Sequence, residues 1–343
     1  MSVAEVHTTF HPLLPNGIDG DPVLWVDVPD EGHAVALDLG DLHGIPARRL
    51  ERVERVVVTH AHMDHFIGFD LLLRRRLGRD RELTITGPAG FLERTAGRIA
   101  GYTWNLIETY PVRLVVEEID GTTVRAVAYS GASRMLPTPL GERPFAGALH
   151  GNRAYTIHAA QLDHGVPVLG VVLAETEHLA VDKDRLARLG LEPGAWLRDL
   201  KNDVRRCAPP QTLVEAALAA GGTRSYPLGA IAQEILFRTR GQRIAYLTDL
   251  RATPDNLDRA IELVRGADLL VCEAAFLHAD AQLARERNHL TARQAGELAR
   301  AAGVARLAPF HVSPRYAGRS QELLAEARAA FGGPLVELPR GGP

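Results

Sequence analysis

The chain has 343 residues, 46% of them hydrophobic, with 39 basic against 42 acidic side chains and a formal net charge of -3. That length allows a large buried core; two cysteines, Cys207 and Cys272, exclude a disulfide framework, and the near-neutral charge excludes a global basic field for nucleic acid. No apolar run approaches the roughly 20 residues of a membrane span and the N-terminus lacks a leader pattern, so no membrane partner and a cytoplasmic location are expected.

In chain order, "VLWVDV", "HAVALDLGD" and "ERVVVTH" between residues 23 and 60 are short apolar or alternating runs separated by turn residues, which is strand patterning. "GFDLLLRRRLGR" reads as a helix, "RELTITGPAG" as a strand and "FLERTAGRIAGY" as a further helix. Four strands follow in "VRLVVEEI", "TTVRAVAYS", "AYTIHAAQLDH" and "VPVLGVVLAE". The segment 181–206, "VDKDRLARLGLEPGAWLRDLKNDVRR", is charged and helical with a break at Pro193 and Gly194, and is expected to protrude as an arm. Strands and helices resume with "EILFRTRGQRIAYLTDL", "NLDRAIELVRGADLLVCEAAF", "TARQAGELARAAG" and "VARLAPFHVS". Strict βαβ alternation is absent, so two packed sheets flanked by helices fit better than one doubly wound sheet, in a single α/β (α+β) domain over 1–343 carrying the arm. Cys272, inside "ADLLVCEAAF", and Trp104, inside "GYTWNLIETY", are expected in the core.

The stretch that bears on chemistry is "VVVTHAHMDHFIGFD" at 56–70. Strand side chains alternate faces, so His60 and His62 point the same way as the chain leaves the valine run and can reach one cation. Asp64 and His65 follow where a turning loop can aim a carboxylate and a third imidazole at a neighbouring cation. Such nitrogen and oxygen donors suit zinc, with manganese or iron as substitutes.

"THAHMDH" resembles the signature of the metallo-β-lactamase superfamily, which implies a four-layer αβ/βα sandwich with a two-metal centre at one edge. The resemblance extends residue by residue. Asp38 in "ALDLGD" matches an aspartate that orients the ligands from behind, His164 in "LDHGVPVLG" a lone histidine after a strand, Asp249 in "RIAYLTDL" a carboxylate shared by both metals, and His311 in "LAPFHVSPRY" the last histidine. His158, six residues before His164, is the competing choice but lacks the "GVP" turn. His7, His11, His33, His43, His150, His178 and His278 have no such context and are expected to be structural or solvent-facing.

Four stretches, "HMDHFIGFDLLLRRR" with "LTITGPAGF", "LDHGVPVLG" with "LARLGLEPGAWLRDLK", "ADLLVCEAAF" through "HLTARQA", and "FHVSPRY", resemble the ribonuclease Z family, which trims the 3' end of precursor tRNA. The resemblance implies two Zn2+ ions, one held by His60, His62 and His164, the other by Asp64, His65 and His311, with Asp249 bridging them. It further implies a bridging hydroxide as nucleophile, Asp64 handling its proton, and His289 oriented by Glu273 protonating the leaving oxygen. Ser313 and Arg315 are candidate phosphate contacts, precursor tRNA the expected substrate, and a homodimer the expected assembly. Where the family has a Gly-rich opening and a Pro-x-Lys-x-Arg-Asn motif, this chain has "LLPNGIDGDPVLWVDV", and lysine occurs only at Lys183 and Lys201. A small phosphodiester, a cyclic nucleotide or a lactone is therefore the alternative substrate.

Overall fold

The computed structural model describes residues 9–341, so the expectation for His7 falls outside the described residues. The described chain forms two compact units: the larger comprises Phe10–Leu149, Ile157–Leu173 and Arg243–Pro343, the smaller chiefly Ala174–Gln242 with His150–Thr156. The segment 181–206 lies inside the smaller unit.

In the larger unit, strands β1 (His11–Leu13), β2 (Leu24–Val28), β3 (His33–Leu37), β4 (Val53–Val57), β5 (Leu83–Pro88), β6 (Arg113–Asp120), β7 (Thr123–Ser130) and β8 (Thr138–Pro144) form an eight-stranded sheet in sequence order. The β3–β4–β5–β6 run is parallel and its flanking pairs are antiparallel. Helix α1 (Ala47–Leu50) precedes β4, α2 (Met63–Phe66) and α3 (Phe69–Arg76) follow it, and α4 (Phe91–Ala100) follows β5. Ala34 and Ala36, Val56 and Val58, Leu83 and Ile85, Leu114 and Val116 are i, i+2 pairs that share one buried cluster with Phe69, Leu72 and Leu73 of α3 and Phe91 and Ile99 of α4. Each valine, leucine, isoleucine or phenylalanine among them contributes roughly 1.5–3 kcal/mol by leaving water. The alternate residues Val35, Leu37 and Val57 are buried as well, so both faces of the sheet are covered. Trp104, expected in the core, is only half-buried against the edge of this cluster, its Nε1 donating to the Ile99 carbonyl (2.8 Å).

The chain continues through β9 (Ala148–Gly151), β10 (Tyr155–Asp163) and β11 (Pro167–Glu175) into the smaller unit. There β12 (His178–Val181) pairs antiparallel with β15 (Leu236–Thr239), and a hairpin joins β13 (Leu213–Ala217) to β14 (Thr223–Pro227). Helices α5 (Lys183–Arg188), α6 (Ala195–Arg205) and α7 (Leu228–Ile235) complete it. Leu186, Trp196 and Leu200 of α5 and α6 bury against Val214, Ala216, Leu228, Ile231 and Ile235, giving the unit its own apolar cluster. The charged segment is thus amphipathic: its apolar stripe is covered by a hairpin and a helix from residues 213–235.

Returning to the larger unit, β16 (Arg243–Leu247), β17 (Leu269–Glu273) and β18 (Leu307–Phe310) join the second sheet in the order β18-β17-β16-β11-β10-β9, with β16–β17–β18 parallel. Helices α8 (Pro254–Val264), α9 (Ala281–Glu286), α10 (Ala292–Ala301) and α11 (Ser320–Phe331) accompany these strands. Cys272 on β17 is fully buried, as expected. The two sheets with their helices form the mixed sandwich that the strand pattern implied. No helix among the described residues is long and apolar enough to cross a membrane.

Candidate active site

Parallel strands place their carboxyl ends along one edge of a sheet, and ligands in α/β folds gather beyond such ends. Here β3 ends at Leu37 before Asp38, β4 at Val57 shortly before His60, β10 at Asp163 before His164, β16 at Leu247 before Asp249, and β18 at Phe310 before His311, while β17 ends on Glu273. Three of these residues turn sharply off their strands with left-handed backbone: Asp38 (φ 64°), Asp249 (φ 50°) and His311 (φ 57°). A non-glycine residue there costs roughly 1–3 kcal/mol, which the surrounding packing must offset. Part of that packing is a close glycine contact. A Cβ on Gly68 would sit 2.3 Å from the Gly40 carbonyl oxygen and one on Gly40 2.8 Å from that of Asp64, so the two loops approach as only glycines permit.

The donors converge on Asp249. Its Oδ2 lies 3.3 Å from His164 Nε2 and 3.6 Å from His60 Nε2, and its Oδ1 lies 3.0 Å from His311 Nδ1 and 3.5 Å from His65 Nε2. Donor atoms of His60, His62, His164 and Asp249 fall within 4.8 Å of one another, and so do those of Asp64, His65 and His311. His60 Nε2, His65 Nε2 and His311 Nδ1 are buried without a hydrogen-bond partner. Buried imidazole nitrogens aimed at a carboxylate and left unpaired would be costly in a purely structural cluster. They fit a divalent cation, for which neutral imidazole and carboxylate are ordinary ligands.

Behind the donors, Asp38 accepts hydrogen bonds from the Thr59 amide (2.7 Å) and hydroxyl (2.9 Å), from His65 Nδ1 (2.9 Å) and from the Tyr246 hydroxyl (2.9 Å). Fixing the proton on His65 Nδ1 turns Nε2 toward the cluster. His164 is oriented likewise, its Nδ1 donating to the Asn288 carbonyl (2.9 Å), with Asn288 at φ 61°. Tyr246, Thr59 and Asn288 were not apparent from sequence patterns. Only Asn288 carries a local signal, an asparagine just beyond a helix end, where left-handed backbone is common. His158 belongs to neither donor group.

The electrostatics follow from this packing. Burial holds His60 down at about 2, so it is a neutral donor, and burial lowers His62 as well. Burial pushes the Asp64 carboxyl up, but the His311 hydrogen bond and the charges of His65 and His311 outweigh it and bring Asp64 to about 2. Burial would lower His311 and His65; Asp249 raises His311 to about 10, and Asp249 with Asp38 holds His65 well above its ordinary value. Two imidazoles therefore keep protons against carboxylates, in positions where a metal cation would replace them.

A cavity of about 680 Å³ opens over the donors, lined by His62, Asp64, His164, Asp249 and His311. His289 lines this cavity and is paired with Glu273, which is fully buried: His289 Nδ1 lies 2.7 Å from Glu273 Oε2, and the Leu250 amide donates to Oε1 (2.7 Å). Burial opposes the charge on His289, but Glu273 outweighs it and raises its pKa. Ser313 and Arg315 line the same cavity; the Ser313 hydroxyl accepts from the Arg315 amide (3.4 Å), and Arg315 Nε lies 3.7 Å from Asp280. Asp19 and Asp21, within the stretch that stands in place of the Pro-x-Lys-x-Arg-Asn motif, also line it.

Known proteins resemble this arrangement at three levels. A family profile, the Beta-lactamase superfamily domain, matches residues 210–312. The ribonuclease Z of Deinococcus radiodurans is 32% identical over 91% of this chain and 92% of its own length, and that of Thermobifida fusca is 32% identical over 89% and 83%. Among solved structures, the metallo-beta-lactamase fold protein YhfI from Bacillus subtilis superposes over 96% of this chain and 97% of its own at a TM-score of 0.55 and 15% identity. The short form of human tRNase Z does so over 96% and 95% at a TM-score of 0.52 and 17% identity. These last two share the fold. The sequence relatives carry more: the chain belongs to the ribonuclease Z family and is a metal-dependent hydrolase of the metallo-β-lactamase fold.

Proposed function

We propose that the chain is a zinc phosphodiesterase that cleaves precursor tRNA at its 3' end, with two zinc ions held by His60, His62 and His164 on one side and Asp64, His65 and His311 on the other, and Asp249 shared. The observation that carries this reading is His289, which lines the cavity that also holds Asp64 and the donor groups and is paired with the fully buried Glu273. A phosphodiester needs a proton acceptor for the attacking water and a proton donor for the leaving oxygen, and both are present around one space. When bound, zinc ions supply a lowered water pKa, near 7, and positive charge for the phosphoryl oxygens.

Asp64, whose carboxylate lines the cavity, is placed to take a proton from the attacking water. Glu273 has Oε1 engaged by the Leu250 amide and Oε2 by His289, which fixes the His289 proton on Nδ1 and presents Nε2 to the substrate. As the phosphorus–oxygen bond breaks, the Nε2 proton passes to the departing 3' oxygen and Glu273 stabilises what remains. Ser313 and Arg315 steady the phosphate. A cytoplasmic location, expected from the absence of a long apolar run, and a homodimer, implied by the family resemblance, are part of the same reading.

Asp19 and Asp21 favour a second reading. Carboxylates on the cavity wall repel an RNA backbone, so a small phosphodiester, a cyclic nucleotide or a lactone is the alternative substrate. Zinc-loaded protein is tested on a 3'-extended precursor tRNA and on bis(p-nitrophenyl) phosphate, with His62→Ala and His289→Ala beside it. The expected result is cleavage at the acceptor end, lost in His62→Ala and reduced about a hundredfold in His289→Ala with metal retained. Hydrolysis of the small diester alone would replace tRNA with a small substrate.

A further inference from the structure

A second cavity, of about 580 Å³, shares His289 with the first. Its polar wall includes Arg251, Arg285, His278, Asn288 and Gln294, and no carboxylate lines it among the described residues. Local hydrogen bonds make this wall a set of donors. The Asn288 side-chain oxygen is occupied by Arg251 Nε (2.8 Å), leaving its NH2 group to offer. The Gln294 side-chain oxygen is occupied by the Thr291 amide (2.9 Å) in the cap of α10, again leaving NH2. Arg251 Nη1 is held by Asp163 (3.1 Å), so that guanidinium is anchored rather than free to swing. Arg285, at the end of α9, is exposed, and no ion pair holds it among the described residues. Guanidinium and amide NH groups without an acceptor among them match a phosphate, which offers only acceptors.

We propose that this cavity is a phosphate subsite that receives a phosphate of the substrate's nucleotide chain upstream of the scissile bond. The assignment rests on the phosphodiesterase reading above. There, His289 gives its proton to the leaving 3' oxygen, so the strand attached to that oxygen runs past His289, and the next phosphates along it are the ones that reach Arg285 and Arg251. The subsite also supplies local cationic character to a chain whose metal cavity carries Asp19 and Asp21.

Two measurements on zinc-loaded protein test it. In crystals soaked with tungstate, an anomalous peak is expected between Arg251 and Arg285, absent in Arg285→Glu crystals; no peak there in the unsubstituted protein overturns the anion site, whatever the substrate proves to be. Kinetically, oligoribonucleotides with one or three nucleotides upstream of the cleaved bond are compared with bis(p-nitrophenyl) phosphate. Arg285→Glu is expected to leave the small diester unchanged, raise KM for the longer chain about tenfold, and flatten the dependence of log kcat/KM on log salt by about 0.7, one single-strand phosphate contact. Arg285→Lys should recover part of the loss, since the charge returns without the planar fork. Equal effects on both oligonucleotide lengths would overturn the upstream assignment. Tungstate binding in a protein that cleaves no oligoribonucleotide would overturn the nucleotide-chain assignment and the tRNA reading together, while leaving the anion site in place.

Discussion

In the larger unit, Asp38, Asp249, Asn288 and His311 sit around the donor cluster with left-handed backbone; in the smaller unit, Cys207 is the one non-glycine residue so placed among the described residues. Among the described residues, Arg134 and Met135, in the turn after β7, are the larger unit's other two such residues. The buried imidazole nitrogens without a hydrogen bond, those of His60, His65 and His311, nevertheless all lie where strand ends present ligands, whereas the smaller unit has an apolar cluster of Leu186, Trp196, Leu200, Val214 and Ile231. Strain of this kind persists where the surrounding fold over-determines it and chemistry requires it. The contrast predicts which substitutions each unit can absorb: loss of a donor in the larger unit is expected to abolish function, and changes confined to the smaller unit's apolar cluster are expected to leave small-diester hydrolysis in place.

Asp249→Asn tests the demanding side most severely. The carboxylate faces four imidazoles, and an amide offers neither the second oxygen acceptor nor the charge. Diester hydrolysis is expected to fall at least about a thousandfold, the several kcal/mol that metal-centred charge stabilisation contributes. Metal content by mass spectrometry should fall with it. A fully loaded, active Asp249→Asn protein would dissolve the distinction between the units.

The smaller unit is tested by excision. Because α5 and α6 share a core with the 213–235 segment, cutting out 181–206 alone would expose Val214, Ala216 and Ile231. The cleaner excision removes 179–238, because His178 and Thr239 are paired at the base of β12–β15 and a short glycine linker can join them. If the unit grips RNA, losing that second contact should reduce precursor tRNA cleavage about a hundredfold. Hydrolysis of bis(p-nitrophenyl) phosphate should stay within about twofold. Equal losses for both substrates would mean that the unit supports the metal cavity rather than a distant contact.

Asp38→Asn probes how far the strain-bearing shell extends behind the ligands. It removes the charge that holds His65 Nδ1–H while leaving the Thr59 and Tyr246 side chains in place. Metal affinity is expected to drop about 10–100-fold, measured by competition with a chelating dye, with the melting temperature of the metal-loaded protein little changed.

This contrast also explains what the sequence disclosed. His60, His62, Asp64 and His65 stand within six residues, so their chemistry and strand-end position are local and readable, and His164, Asp249 and His311 each follow an apolar strand run. Thr59 opens the THAHMDH stretch and Tyr246 lies in the apolar run before Asp249, but each acts through a contact to Asp38 from a position distant in sequence, which neither neighbourhood discloses. In the smaller unit, 181–206 announced helices and charge, but the apolar stripe of Leu186, Trp196 and Leu200 implied a partner that the segment does not contain. The hairpin that supplies it turns at Gly221 and Gly222, both at positive φ, a paired-glycine turn signal hidden in an alanine-rich stretch.

The smallest effect is expected from Glu175→Gln, which addresses the polar exception inside the smaller unit. Glu175 is fully enclosed, its Oε1 accepting from Thr9 (2.5 Å) and His178 (3.0 Å) and its Oε2 from the Gln242 amide (3.1 Å). Burial pushes this carboxyl up, but the hydrogen bonds outweigh it and hold it below its ordinary value of 4.5. A depressed carboxylate stabilises the fold above its unfolded pKa and loses that contribution as pH falls through the folded one. Stability of the smaller unit, followed by hydrogen exchange, should therefore decline below about pH 4.5 in the native chain. The glutamine variant should lack this acid decline and be less stable by about 1.5 kcal/mol at neutral pH, the value of a charge-assisted hydrogen bond. Metal content and diester hydrolysis should not change. A fall in either would mean that the smaller unit's polar centre is tied to the chemistry after all, and that the two units are not separable in the way their backbones suggest.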